Sequence, residues 1–226
     1  MKHEHCPLCL SLKTTLFSQS SIKNLERDYL ICKSCELIFV PSKFHISHSD
    51  EKKRYLEHNN DINDPKYRGF LSKLLDQLIP KLREGYNGLD FGAGPGPALV
   101  NMLEKSKFKM KSYDLFFQPD KSVLKRKYDF ITCTETVEHF VNPRKEFKIL
   151  DSISKPGTWI GIMTSLFEHS SSFPDWYYQR DPTHVAFYSE QTMEFIAKML
   201  NWEIILPSKN IILFKKSCDT DDRIPS

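Results

Sequence analysis

Four cysteines stand as two Cys-x2-Cys pairs, Cys6-Pro7-Leu8-Cys9 and Cys32-Lys33-Ser34-Cys35, separated by 22 residues. Thiolates at that spacing reach one tetrahedral ion, so the pattern predicts a structural four-cysteine zinc site in preference to two disulfides. Cys133 and Cys218 have no partner at ligand spacing, the first reading as a strand residue and the second as part of the tail. A second chemistry is written in Gly88-Leu89-Asp90-Phe91-Gly92-Ala93-Gly94-Pro95-Gly96. Glycines at 92, 94 and 96 let the backbone turn tightly and let a ligand come close, although a lone Gly-x-Gly-x-Gly is also found in ordinary loops. About 20 residues on, Lys109-Met110-Lys111-Ser112-Tyr113-Asp114 reads as a second strand ending in an acid, where an acid can take a ribose diol in a doubly wound fold.

These residues need a frame. The stretch 88–91 reads as a strand, 97–105 as a helix carrying Leu99, Val100, Met102 and Leu103 inward, and 109–114 as the next strand. Tyr128–Cys133 reads as a third, wholly apolar strand, 143–153 as a helix, Lys155-Pro156-Gly157-Thr158 as a turn and Trp159–Met163 as a strand. Upstream, Asp64-Pro65 starts a helix whose apolar residues from Tyr67 to Ile79 recur at helical spacing. Downstream, Ser189 caps a helix to about Leu200, and Trp202–Leu206 and Asn210–Lys215 close the sheet.

Taken in order, Asp-x-Gly-x-Gly-x-Gly, the acid ending the next strand, the Tyr128-Asp129-x-Ile131 strand with Glu138-His139-Phe140 after it, and the Lys155-Pro156-Gly157-Thr158-Trp159-Ile160-Gly161-Ile162 run resemble a class I S-adenosylmethionine (SAM)-dependent methyltransferase over roughly residues 85–215. The resemblance implies an α/β, doubly wound Rossmann-like sheet, mostly parallel with its last strand antiparallel, here preceded by a small zinc ribbon. It also implies that SAM lies against Asp90, Gly92, Ala93, Gly94, Gly96, Thr134 and Glu135, with Asp114 on the ribose hydroxyls. Only residues 115–127 separate Asp114 from Tyr128, where the family has room for a further helix and strand. A shortened sheet is expected, with Leu115, Phe116 and Phe117 available to pack on the adenine.

The domain reading is a zinc ribbon at 1–42, a polar linker or lid at 43–63, the methyltransferase domain at 64–216 and a flexible tail at 217–226. Tyr55 is a candidate lid residue, while His45 and His48 are expected to stay off a metal already satisfied by four thiolates. The aromatic, irregular stretch 165–188 is the expected acceptor pocket, with Trp176, Tyr177, Tyr178, Arg180 and His184 as substrate contacts. The same rings would serve equally well as the packing of a lid.

Methyl transfer is an in-line displacement, and a protonated oxygen or nitrogen acceptor needs a base, for which His184 and His139 are the candidates. His169 is a weaker copy. Glu135-x-x-Glu138-His139 also resembles the Glu-x-x-Glu-His signature of ubiquinone-biosynthesis O-methyltransferases and small-RNA 2′-O-methyltransferases, which implies a possible second divalent ion at Glu135, Glu138, His139 and His184. The same Glu-His occurs in methyltransferases that bind no metal.

The 226 residues are 40% hydrophobic and 27% charged with a formal charge of +3, the profile of a globular chain with no apolar run of bilayer length and no signal-peptide pattern. The expected location is cytoplasmic, with no membrane and no obligate protein partner. A small-molecule acceptor is favoured. An RNA acceptor, with the ribbon as its binding element, and a non-catalytic SAM- and zinc-binding module are the alternatives.

Overall fold

The computed structural model describes residues 4–20, 22–57, 61–168 and 170–218, without the side chains of 170–172. Expectations for His169 and the tail beyond Cys218 lie outside the described residues.

Among the described residues, ten strands form two sheets. In the ribbon, β1 (Thr14–Gln19), β2 (Asp28–Cys32) and β3 (Ile38–Phe39) pair antiparallel in order. The large sheet contains β4 (Asn87–Phe91), β5 (Lys109–Tyr113), β6 (Tyr128–Thr134), β7 (Ser154–Met163), β9 (Trp202–Ser208) and β10 (Ile211–Lys216), in the order β5-β4-β6-β7-β10-β9. β5, β4, β6 and β7 are mutually parallel, and β10, the last of the described strands, runs opposite to both its neighbours. That is the expected mostly parallel sheet. It has six strands, because 115–127 hold only a short turn and the Asp114–Gln118 bridge.

Five helices cover the large sheet and its upper rim: α1 (His48–Leu56), α2 (Pro65–Leu78), α3 (Ala98–Lys105), α4 (Pro143–Ser152) and α5 (Glu190–Leu200). Asp64 caps α2 by accepting the Lys66 N–H, Pro65 occupies its first turn, and Leu71, Leu74, Leu75 and Leu78 make its buried stripe. α2 and α3 pack on one face in a cluster with Met110, Phe130 and Leu213. On the other face Phe147 and Leu150 of α4 and Met193 and Ile196 of α5 join Ile131, Ile160 and Phe214. Ser189 and the left-handed Asn201 bound α5 as its N-cap and C-cap.

Two features differ from the local reading. Lys155-Pro156-Gly157-Thr158 lies inside β7 as a bulge, with Tyr128 opposite Ser154 and Phe130 opposite Trp159, so its turn is absorbed within the strand. The irregular stretch 165–188 contributes β8 (Ala186–Phe187), which pairs with β3 and becomes the fourth strand of the ribbon sheet. Tyr29, Ile38 and Val40 of the ribbon share a buried cluster with Phe173, Tyr178, Val185 and Phe187. The cysteine pairs are continuous with the main core through Leu37, Phe39 and Ala186. The ribbon is therefore built into the domain that follows it.

Candidate active site

The carboxyl ends of the parallel strands open into a cavity of about 1050 Å³. In an open parallel sheet this is where ligands sit, because loops diverge there and leave a crevice. Asp90, at the end of β4, is buried and accepts the Thr132 hydroxyl at 2.8 Å. Burial chiefly, and then the charge of Asp114, push its carboxyl up to about 7. Gly92 and Gly94 have φ of +80° and +65°, the left-handed turn that carries the chain from β4 toward α3. Asp114 is the hub of that turn. It accepts the Gly94 N–H at 3.0 Å on one oxygen, and the Phe116 and Phe117 N–H groups at 2.8 and 3.0 Å on the other. Ala93, Gly96, Leu115, Thr134 and Glu135 also line the cavity, so all nine residues expected at the cofactor border the same space.

Glu138, which also lines the cavity, is fully buried and its two oxygens accept from the Thr164 hydroxyl at 3.0 Å and from the Tyr178 hydroxyl. His139 and His184 each place Nδ1 on a backbone carbonyl, Thr183 at 3.1 Å and Tyr178 at 2.7 Å. A carbonyl only accepts, so Nδ1 carries the proton in both rings and the neutral form keeps its lone pair on Nε2. Ligand atoms of Glu138, His139 and His184 lie within 4.8 Å of one another. Glu135 stands outside this group of three; its side chain is open to the cavity, where partial loss of surrounding water and then the nearby Glu138 push its carboxyl upward. Burial, followed by the neighbouring His139, holds His184 down to about 4, so it is neutral at physiological pH.

Tyr177, Tyr178 and Arg180 line the cavity. Trp176 does not; its ring packs on Phe173, Tyr178 and Phe187 in the aromatic cluster against the ribbon. Helix α1, from the polar stretch 43–63, lines the mouth with His48, Glu51, Arg54 and Tyr55. Arg54 donates to Asp181 at 3.0 Å, and Tyr55 sets its ring edge-on to His139 while donating to Glu51 at 2.7 Å. Burial raises the Asp181 carboxyl, yet the Thr183 hydroxyl and amide, with His184 and Arg54, hold it down to about 2. Arg54 and Asp181 escape a reading by motif because 127 positions separate them.

The four cysteines converge as expected. Cys6 and Cys35 sulfurs are 3.5 Å apart, Cys9 and Cys32 are 3.4 Å apart, and all four lie within 4.8 Å of one another. A tetrahedron with bonds of about 2.3 Å has edges of about 3.8 Å, so the set fits a zinc ion. His45 turns to the Val40 carbonyl at 2.9 Å and His48 to Glu51, away from that cluster.

Asp90 supplies a test of the cavity's charge. Its folded value of about 7 lies above the unfolded one near 3.9, so the stability it contributes is complete below about pH 4 and lost as pH rises through 7. Asp90→Asn, permanently neutral, is expected to raise the stability of the ligand-free protein by about 1–4 kcal/mol at pH 8 and by little at pH 4. Denaturant melts at the two pH values check this. A destabilised variant at pH 8 would show that the carboxylate is already compensated.

The profile of a methyltransferase domain family matches residues 64–206. No curated protein matches the chain. Among solved structures, it is similar to a SAM-dependent methyltransferase from Archaeoglobus fulgidus, with 18% identity over 66% of this chain and 94% of that one and a TM-score of 0.51. It is also similar to the 1,6-didemethyltoxoflavin N1-methyltransferase of Burkholderia thailandensis, whose structure holds 1,6-didemethyltoxoflavin and S-adenosylhomocysteine, with 11% identity over 82% and 98% of the two chains and a TM-score of 0.54. A Pyrococcus horikoshii OT3 protein matches at 14% identity over 74% and 99%, with a TM-score of 0.53. At these identities the likeness is one of fold. With its glycine turn, its acid-lined crevice and a family match over more than half its length, the chain belongs to the methyltransferase domain family and is a SAM-dependent methyltransferase.

Proposed function

We propose that the protein transfers a methyl group to an oxygen or nitrogen atom of a small-molecule acceptor. The observation that carries this reading is the convergence of Glu138, His139 and His184 on the same cavity as the glycine turn. SAM, when bound, supplies a methyl group on a positively charged sulfur. The cavity fits such a cation: burial has pushed Asp90 upward, partial loss of water and crowding beside Glu138 raise Glu135, and a positive ligand restores their ionised forms. Asp90 and the backbone of 92–96 would hold its amino-acid end, Asp114 its ribose and Leu115 to Phe117 its adenine. The Asp90→Asn protein that gains stability should therefore lose SAM affinity.

Both imidazoles line the cavity, and with Nδ1 held on a carbonyl the lone pair left on either Nε2 can take the proton of an acceptor hydroxyl or amine that reaches it. His139, more open to the cavity and braced by Tyr55, is placed for this role as well as His184. A second use of the same atoms is as ligands: one carboxylate and two imidazoles suit a divalent ion that polarises a hydroxyl. Glu138, His139 and His184 would hold it, without Glu135. The four cysteines would hold a structural zinc, and the ribbon would shape the acceptor side of the cavity.

The test is a transfer assay with labelled SAM over phenols, alcohols, amines and carbon acids, run beside metal analysis of wild type and Glu138→Gln. Label on oxygen or nitrogen is expected. Label on carbon alone, or on no class, sinks the reading. A divalent ion beyond one zinc, lost in Glu138→Gln while zinc stays, assigns the ligand role; full turnover by protein that carries one zinc and no second ion assigns the histidines as bases.

A further inference from the structure

Arg27 lies in the ribbon just before β2 and is only 4% exposed. A guanidinium has five N–H donors, and here all five are engaged. Nε donates to the Tyr29 hydroxyl at 2.9 Å. Nη1 donates to the carbonyls of Pro182 and His184 at 3.3 and 3.0 Å, and Nη2 to those of Gln179 and Asp181 at 2.6 and 3.1 Å. Four carbonyls of one six-residue stretch are thus gathered around a single buried cation more than 150 positions away in sequence. Burying a cation is costly unless its donors are satisfied, and a segment that supplies four acceptors is fixed by doing so.

We infer that Arg27 is the positioning residue for His184: the stretch 179–184 is wound around its guanidinium, and this winding aims the imidazole into the cavity. The curl is tight enough to bring the His184 Nδ1 back onto the Tyr178 carbonyl, which leaves Nε2 on the cavity side. The ends of the stretch are held by the same neighbourhood. Val185 donates to the Glu138 carbonyl at 2.9 Å, Val40 of the ribbon donates to the Val185 carbonyl at 2.9 Å, and β8 then joins β3. Arg27 does not itself reach the reacting groups; it acts through the backbone that carries His184, Asp181 and Arg180. The ribbon on this account is part of the active-site frame. Lysine could keep the charge but has one ammonium head, which cannot span four carbonyls, and methionine could keep the packing on Tyr29 with no donor at all.

The inference rests on His184 belonging to the methyl-acceptor site, but its test reads the order of a segment and the state of a ring, so it stands or fails whichever acceptor is used. Full-length Arg27→Lys and Arg27→Met are compared with wild type by hydrogen–deuterium exchange, SAM affinity and long-range 15N spectra of the His184 ring at pH 8. Exchange at 179–187 is expected to speed up at least tenfold in both variants, while peptides of β2–β3 and of the glycine turn stay as in wild type and SAM affinity changes less than twofold. The ring should pass from a fixed Nδ1–H tautomer to a mixture. Unchanged exchange at 179–187, or ribbon peptides that loosen in step with it, would overturn the inference, because Arg27 would then merely stabilise the ribbon. A second measurement needs no variant. In wild type, a guanidinium bonded through every N–H should give separate, slowly exchanging Nη signals; one averaged signal for Arg27 would overturn the inference equally.

Discussion

Cys32→Ser is expected to loosen residues far outside the ribbon. Cys32 ends β2, its sulfur is 3.4 Å from that of Cys9, and its N–H closes the knuckle on the Leu37 carbonyl. Structural four-cysteine sites contribute folding energy outright, with apparent values of about 10 kcal/mol or more in isolated zinc modules. In a small self-contained ribbon, the loss would end at the ribbon's edge. Here it passes from β3 to β8, to the cluster of Tyr29, Phe173 and Phe187, and to the Arg27-centred winding of 179–184. The melting temperature should fall by roughly 10 °C or more, a few degrees for each kcal/mol lost in a chain of this size. Limited proteolysis should cut both 10–40 and 165–188, while β4 to β6 remain protected. A strong chelator applied to wild type should give the same pattern. A metal-free protein with both regions protected would sink the zinc assignment, and cleavage in the ribbon alone would sink the coupling.

The other large effect is expected at the glycine turn. Gly92 has φ +80°, and a Cβ placed there would lie 2.2 Å from the Thr136 Cγ2 and 2.4 Å from its Oγ1. Thr136 cannot simply swing away, since its hydroxyl donates to the Gly92 and Thr134 carbonyls. It also precedes the turn Val137–His139, so pushing it moves Glu138 and His139 together with the glycine loop. Gly92→Ala should reduce SAM affinity by about 100-fold or more, from backbone strain of about 1–2 kcal/mol plus the displaced contact. Gly94→Ala is the control. Gly94 also has positive φ, +65°, but nothing lies within 4 Å of its added methyl, so only the strain remains and a loss of about tenfold is expected. Calorimetric titration with SAM separates the two. Equal losses would remove the Thr136 collision as the cause.

Where the sequence spoke locally, the structure follows it. Asp64-Pro65 and Ser189 cap helices because short polar side chains reach the free N–H groups of a first turn, and such effects act within three residues. The glycine turn, Asp90 and Asp114 were legible for the same reason, and the cysteine pairs because metal ligands advertise their spacing. What remained hidden is non-local. Ile38–Phe39 and Ala186–Phe187 form two-residue strands separated by about 150 positions, too short to show a period of two. Helix α1 has no buried residue, so no apolar stripe announced it, and its place over the cavity depends on Arg54 meeting Asp181. Trp176 shows the limit of composition: an aromatic among site residues can as easily face the core. Arg27 was invisible because its distant partners are backbone carbonyls, which have no sequence identity at all.

The shortened sheet has a further consequence at its border. Omitting the strand that 115–127 had no room for leaves β5 outermost, and an unpaired strand invites pairing with another copy of itself. β5 reads Lys-Met-Lys-Ser-Tyr, with Lys109 and Lys111 exposed along it and Met110 turned inward. Its far end is covered where Asp114 and Gln118 exchange backbone hydrogen bonds at 3.0 and 3.2 Å. Two like charges on half of the margin and a folded-back loop on the other half protect the chain from edge-to-edge aggregation, so the lost strand is compensated by repulsion in place of a neighbour.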